Sequence, residues 1–161
     1  MLSIPQSRGK REKMFTTFKG GMLQEYEKGK REYQSKSTNI TVRKVEGLLQ
    51  QIQEQGMLIE QWEEVSEHLK GIIAKDLLFG DVLLHVCQKI SEEFHSNASI
   101  VLTSYQDPEY DERTLTIYIR QKTYEKNLMH RIRLVRAAVM PKQLTSSEWI
   151  LIATDFKYPS S

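Results

Sequence analysis

Residues 99–120 read SIVLTSYQDPEYDERTLTIYIR. Two runs of alternating β-branched and aromatic residues flank an acidic turn, and this pattern predicts a β-hairpin. Apolar residues at spacings of three and four predict one helix before the hairpin, over residues 80–94, and another after it, over residues 123–140. A last apolar run at residues 149–156 predicts a third strand.

The order of these elements is α-β-β-α-β, which predicts the α+β fold class. The hairpin makes its two strands antiparallel, and a right-handed crossover through the second helix would make the second and third strands parallel. We therefore expect a three-stranded mixed sheet that has the first hairpin strand in the centre and the helices on one face.

The part of the chain before this domain divides into two segments. Residues 1–40 are predicted to be a basic, partly disordered arm, because glycine and polar residues dominate them. Residues 41–78 carry a long apolar stripe, which predicts one long helix or a helical hairpin that turns at Gly56. Packing on the following domain, residues 79–158, explains this stripe better than self-association, although both fit the pattern.

Charge is distributed unevenly along the chain. Residues 1–44 hold 11 Lys and Arg against 4 Asp and Glu, a net +7, whereas residues 45–161 hold 12 against 17, a net −5. A basic arm of this kind could bind nucleic acid or an anionic surface, but a solvated arm is the simpler interpretation.

The composition indicates a cytoplasmic protein that does not associate with membranes. Cys87 is the single cysteine, so an internal disulfide is excluded and a reducing compartment is expected. The apolar runs are too short for a membrane span, and the first residues lack the apolar segment of a signal peptide.

Alternation along the hairpin assigns its side chains to two faces. One face is apolar and should meet the helices. The other carries Tyr105, Tyr118 and Arg120, and Trp149 could join them from the last strand. Aromatic rings with an arginine on an open sheet can stack the bases of single-stranded RNA. The interpretation we favour is that residues 41–78 cover this face, which would make the aromatic residues a second core layer.

The hairpin turn is densely acidic, with Asp107 and Glu109 around Pro108. Carboxylates suit Mg²⁺ or Ca²⁺, and Asp155 could approach this turn or lie at the opposite edge. The spacing is not that of an EF-hand, however, and Asp and Pro are ordinary turn residues. We therefore predict no metal site and no cofactor.

Arg133 and Arg136 lie close together on the second helix, one turn beyond His130. Such a face could bind phosphate, although a solvated helix face is the simpler interpretation. Cys87 lies on an apolar stripe, which indicates a core thiol rather than a nucleophile. The sequence contains no phosphate-binding loop, dinucleotide fingerprint or hydrolase motif, so it does not decide whether the protein is an enzyme.

The Asp-Pro-Glu turn at residues 107–109, the strand that ends in Arg120 and the final Thr-Asp-Phe at residues 154–156 resemble a family of small uncharacterised bacterial proteins. The resemblance covers about residues 80–157. It implies no activity, because none is known for that family, but it draws attention to the turn, to Arg120 and to Asp155.

Two classes of function follow from these patterns. The first, which we favour, is a non-catalytic protein-interaction module that binds a protein partner or itself through residues 41–78. The second is a nucleic-acid-associated protein that uses its basic arm, with a metal-assisted nuclease as its catalytic form. The candidate binding residues are Tyr105, Asp107, Glu109, Tyr118, Arg120, Arg133, Arg136 and Asp155.

Overall fold

The structure, a computed structural model, describes residues 9–109, 112–139 and 150–159; the side chains of residues 9–23 and 33–38 lie outside that description. Contacts divide the chain into two units, Met1–Ile40 and Thr41–Ser161. Within the first unit, the described backbone belongs to helix α1, Gly9–Glu54. The side chains described there, residues 24–32 and 39–40, are exposed.

The second unit contains the end of α1 and all the remaining elements. In chain order they are β1 (Leu58–Ile59), α2 (Trp62–Ile73), α3 (Phe79–Phe94), β2 (Ser99–Gln106), β3 (Arg113–Arg120), α4 (Leu128–Val139) and β4 (Ile150–Ala153). The predicted hairpin, the helices on either side of it and the last strand are all present. The fold is α+β, as the order of elements predicted.

The described sheet has four strands in the order β1-β2-β3-β4, so the prediction of three strands was wrong. The β2–β3 pair is antiparallel, and the β3–β4 pair is parallel as expected. β4 lies beside β3, so β2 is not the centre of a three-stranded sheet. The physical reason is that β1 occupies the other side of β2, in parallel register, with Leu58 opposite Val101. A strand of two residues leaves too short an alternation to be recognised from sequence.

Residues 41–78 contain the end of α1 and all of α2, with the two-residue strand β1 between them. α1 ends at Glu54, and Gly56 has a φ of 82°, the left-handed conformation that favours glycine after a helix. Gln61 has a φ of 56° and leads into α2. The domain limits at residues 40 and 78 remain a prediction.

The apolar stripe of residues 41–78 packs into the core, as we favoured. Val45, Leu49 and Ile52 from α1 join Val65 and Leu69 from α2 in one cluster. The same cluster contains the apolar face of the sheet and residues of α3 and α4, among them Ile100, Leu102, Leu115, Ile117, Phe94 and Ile132. The helices therefore cover one face of the sheet. Cys87 is buried in this core, in agreement with the sequence prediction.

None of the helices in the described part of the chain is long and apolar enough to cross a membrane.

Candidate functional site

The second face of the sheet brings together three of the predicted site residues. Cross-strand register places Tyr105 opposite Thr114 and Tyr118 opposite Val101, on the same face as Arg120. Residues 60 and 61 of that segment reach this face at its edge, and Val101 on the face is fully buried. The interpretation of the tyrosines as a second core layer was nevertheless wrong, because Tyr105 is 45% exposed. Trp149 lies outside the described residues.

A groove of about 670 Å³ runs along this face. Tyr105 and Tyr118 line it together with charged side chains from three separate segments of the chain. The charged lining residues are Glu60, Glu64, Arg120, Asp155 and Lys157.

Arg120 lies at the base of the groove and binds two carboxylates. Its Nη2 is 2.7 Å from Asp155 Oδ2, and its Nε donates to both oxygens of the same carboxylate at 3.1 Å. On the other side its Nη1 is 2.5 Å from Glu60 Oε1, and Nη2 is 3.3 Å from Oε2. The side chain of Arg120 is only 3% exposed, whereas those of Asp155 and Glu60 are 13% and 43% exposed. We call these three residues the arginine clasp.

The position of Glu60 and that of Asp155 in the clasp each follow from the strand that precedes the residue. Glu60 follows β1, and its backbone N–H donates to Leu102 O at 2.9 Å, which continues the parallel ladder. Asp155 follows β4, and its carboxylate accepts from the backbone N–H of Lys157 at 3.2 Å. β4 runs parallel to β3, so Asp155 lies beside Arg120 at the end of β3, whereas β1 runs in the opposite direction and Glu60 reaches Arg120 across β2.

The clasp shifts the pKa values of its members in the directions that favour the charged forms. Hydrogen bonds from Arg120 lower the pKa of Glu60. Burial by itself would raise the pKa of Asp155, but the bonds from Arg120 and from the Lys157 backbone outweigh it and lower the pKa. The two carboxylates raise the pKa of Arg120 in turn. Burial, followed by the charge of Asp155, raises the pKa of Tyr118.

The clasp leaves the groove poorly suited to phosphate. The guanidinium of Arg120 is buried and committed to two carboxylates, so it does not offer a free donor fork to an incoming anion. Three carboxylates against two cations give the lining a net charge of −1. The geometry therefore does not reproduce the basic, aromatic surface of a single-strand binder.

Asp107 and Glu109 lie at the opposite end of β3 from Asp155. Asp107 Oδ1 accepts from the Glu109 backbone N–H at 2.8 Å, which is ordinary turn chemistry. The eight residues of β3 separate this turn from Arg120 by about 23 Å. Among the described residues no group of three or more His, Cys, Asp or Glu is arranged to hold a metal ion. The acidic turn and Asp155 do not form one site.

The arginines of α4 also stand apart from the groove. Arg133 and Arg136 are exposed. Their neighbour Arg131 instead joins α4 to α3 through Glu93, with Nε 2.7 Å from Oε1, and its guanidinium lies 4.6 Å from the centre of the Phe94 ring. At the predicted phosphate-binding face of α4, the structure therefore shows only that the side chains of Arg133 and Arg136 are exposed.

A histidine–serine pair that the sequence did not reveal joins α2 to β2. His68 Nδ1 and Ser104 Oγ are 2.9 Å apart. Burial, followed by the charge of Arg113, lowers the pKa of His68. A histidine within hydrogen-bond distance of a serine can act as a base beside a nucleophile. Ser104 is only 6% exposed, however, so the hydrogen bond serves to hold α2 against the sheet.

A second surface lies in the loop between α2 and α3. Leu77 and Leu78 are adjacent and are 71% and 67% exposed. Asp76 Oδ1 accepts from the Leu78 backbone N–H at 3.0 Å, which holds the loop in a turn. Leu77 borders a groove of about 400 Å³ between the end of α1 and the start of α3. Its charged walls are Arg43 and Lys44 on α1 and Asp81 on α3. We call the two leucines with this groove the leucine patch.

Sequence reasoning missed Glu60 and the leucine patch for different reasons. Glu60 is 60 positions from Arg120 in sequence, and β1, which positions it, was not predicted. The leucines looked like the end of the apolar stripe of residues 41–78, but α2 ends at Ile73, before them. The pair of adjacent leucines just before Phe79 and Gly80 was the only available signal.

Comparison of the chain with protein-family models, curated proteins and solved structures finds no match. The resemblance to small uncharacterised bacterial proteins therefore remains a prediction.

Proposed function

We propose that this protein is a non-catalytic protein-interaction module. The observation that carries the proposal is the adjacent exposure of Leu77 and Leu78 at the leucine patch. Single exposed leucines are common on protein surfaces, but two neighbours beside a groove form a contiguous apolar area of the kind that partner proteins cover.

Energetics favours a partner at this position. Burial of one leucine side chain is worth about 1.5–3 kcal/mol, and neither leucine obtains that stabilisation from the part of the chain that the structure describes. The turn at Asp76 holds the loop in place, so a partner would lose little of its binding energy to ordering. Leu77, Leu78 and the α1 wall of the groove lie within residues 41–78, the segment for which the sequence suggested an interaction role.

Nucleic-acid binding has less support. Arg120 is committed to the clasp, and the acidic turn and Asp155 are far apart. What favours this class is the +7 charge of residues 1–44, together with the exposed Arg133 and Arg136. Phosphate contacts made by these residues would weaken steeply with salt. Fluorescence anisotropy of single-stranded RNA with the full chain at two salt concentrations measures this directly.

The test of the proposal compares three forms of the tagged full chain as baits. They are the wild type, the variant Leu77→Asp/Leu78→Asp, and the control Met129→Asp/Leu134→Asp, which changes two exposed apolar residues of α4. A partner should be retained by the wild type and the control and lost with the leucine variant. The purified partner should then bind the wild type in calorimetry. Identical binding of a reconstituted partner to all three baits would refute the proposal.

A further inference from the structure

We propose that the partner that binds the leucine patch is a second copy of this chain. This inference rests on the proposed function, because it names the partner of the same surface. It is carried by the distribution of charge around the two leucines and by the shape of the groove beside them.

The charges on the two walls of the groove have opposite signs. Arg43 and Lys44 are exposed on the α1 wall, and Asp81 is exposed on the α3 wall. None of the three forms an ion pair with another residue that the structure describes. The patch thus has an apolar centre flanked by unpaired charges of both signs.

Such a patch is complementary to itself under a two-fold rotation. In an isologous dimer each residue meets the partner's surface in reciprocal positions, so a contact made once is made twice. The basic wall of one copy then faces Asp81 of the other, and the reverse contact forms at the same time. The leucines of the two copies meet between these charged contacts. A partner with one sign of charge would complement only one wall of the groove.

The groove also has room for an apolar side chain. Gly80 forms part of its lining, and a Cβ at that position would lie 3.5 Å from Leu48 Cδ2 and 3.8 Å from Ile73 Cδ1. Both distances are ordinary van der Waals contacts, so the space directly over Gly80 admits only a small group, and the room for a leucine of the second copy comes from the groove of about 400 Å³ as a whole.

The first experiment measures the mass of the full chain in solution. Analytical ultracentrifugation from low micromolar to submillimolar concentration should show the 18.8 kDa monomer converting to a species of twice that mass. Leu77→Asp/Leu78→Asp should weaken the dimer by about 30-fold or more, because it puts charge at the centre of the interface. Met129→Asp/Leu134→Asp should leave the dimer unchanged.

The second experiment uses charge reversal. Arg43→Glu/Lys44→Glu and Asp81→Lys should each be monomeric, since like charges then face each other at both reciprocal contacts. An equimolar mixture of the two variants should form a heterodimer, because both contacts again pair opposite charges. Circular dichroism establishes that each variant is folded. If Asp81→Lys disturbs α3, the milder Asp81→Asn should weaken the dimer only partly.

The outcomes separate this inference from the proposed function. A wild type that is monomeric throughout, or a dimer that is insensitive to both sets of variants, overturns the inference. In either case the proposed function would still hold if a different purified partner bound the wild type but did not bind the variant Leu77→Asp/Leu78→Asp. A charge-reversed mixture that stays monomeric while the wild type dimerises would refute the two-fold arrangement.

Discussion

Replacement of Arg120 by alanine should lower the free energy of unfolding by about 3 kcal/mol. Removal of one partner from a buried ion pair costs about 3–5 kcal/mol, because an uncompensated charge remains. Asp155 is 13% exposed and would be left in that state, whereas Glu60 is 43% exposed and would recover its hydration. The expected loss therefore lies at the lower end of this range.

The assay is urea unfolding followed by far-ultraviolet circular dichroism. With an m value of about 2 kcal/mol/M for a chain of this size, a loss of about 3 kcal/mol moves the midpoint down by about 1.5 M. Arg136→Ala is the matched control, since that arginine is exposed on α4 and its loss should change stability by less than about 0.5 kcal/mol.

A neutral version of the clasp tests the physical reason for the loss. The triple variant Arg120→Met/Glu60→Gln/Asp155→Asn has no unpaired charge and should recover most of the stability lost in Arg120→Ala. If Arg120→Ala cost no more than Arg136→Ala, the guanidinium would not be holding the two carboxylates at the sheet edge, and the argument from burial would fail.

Three further predictions follow from the structure. Stability should fall as the pH drops below about 6.5, because the folded-state pKa of His68 lies below its ordinary 6.5, and should fall further below about pH 5, because the folded-state pKa values of Asp155 and Glu60 lie below their ordinary 3.8 and 4.5; Asp155→Asn should flatten only the lower part of this fall in urea titrations. Cys87 should resist a thiol reagent at pH 8 until urea unfolds the chain, because burial raises the pKa of its thiol to about 12; rapid labelling under native conditions would mean that α3 opens. Arg131→Ala should cost about 1–2 kcal/mol in thermal unfolding, since it removes the bond to Glu93 and the contact with the Phe94 ring, and an unchanged melting temperature would contradict that role.

The candidate site shows where prediction from the sequence reached its limit. Alternation correctly placed Tyr105, Tyr118 and Arg120 on one face, because side-chain direction in a strand depends only on position along it. It also suggested that Asp155 lay either near the acidic turn or at the opposite edge, and the structure shows the second of these. The parallel pairing of β4 with β3, which the crossover rule predicted, places Asp155 at that edge.

Local periodicity by itself determined the hairpin, α3, α4 and β4, and hence the α+β class, since each of these elements has enough residues to repeat its own pattern. It also determined that the stripe of residues 41–78 was apolar enough for the core. Only the tertiary structure decided that two residues, Leu58 and Ile59, form a strand, because their pairing depends on β2 lying beside them. The same is true of the arginine clasp, whose three members are far apart in sequence and are brought together by strand order. The exposure of Leu77 and Leu78 was likewise a tertiary outcome, because burial depends on what the rest of the chain leaves uncovered.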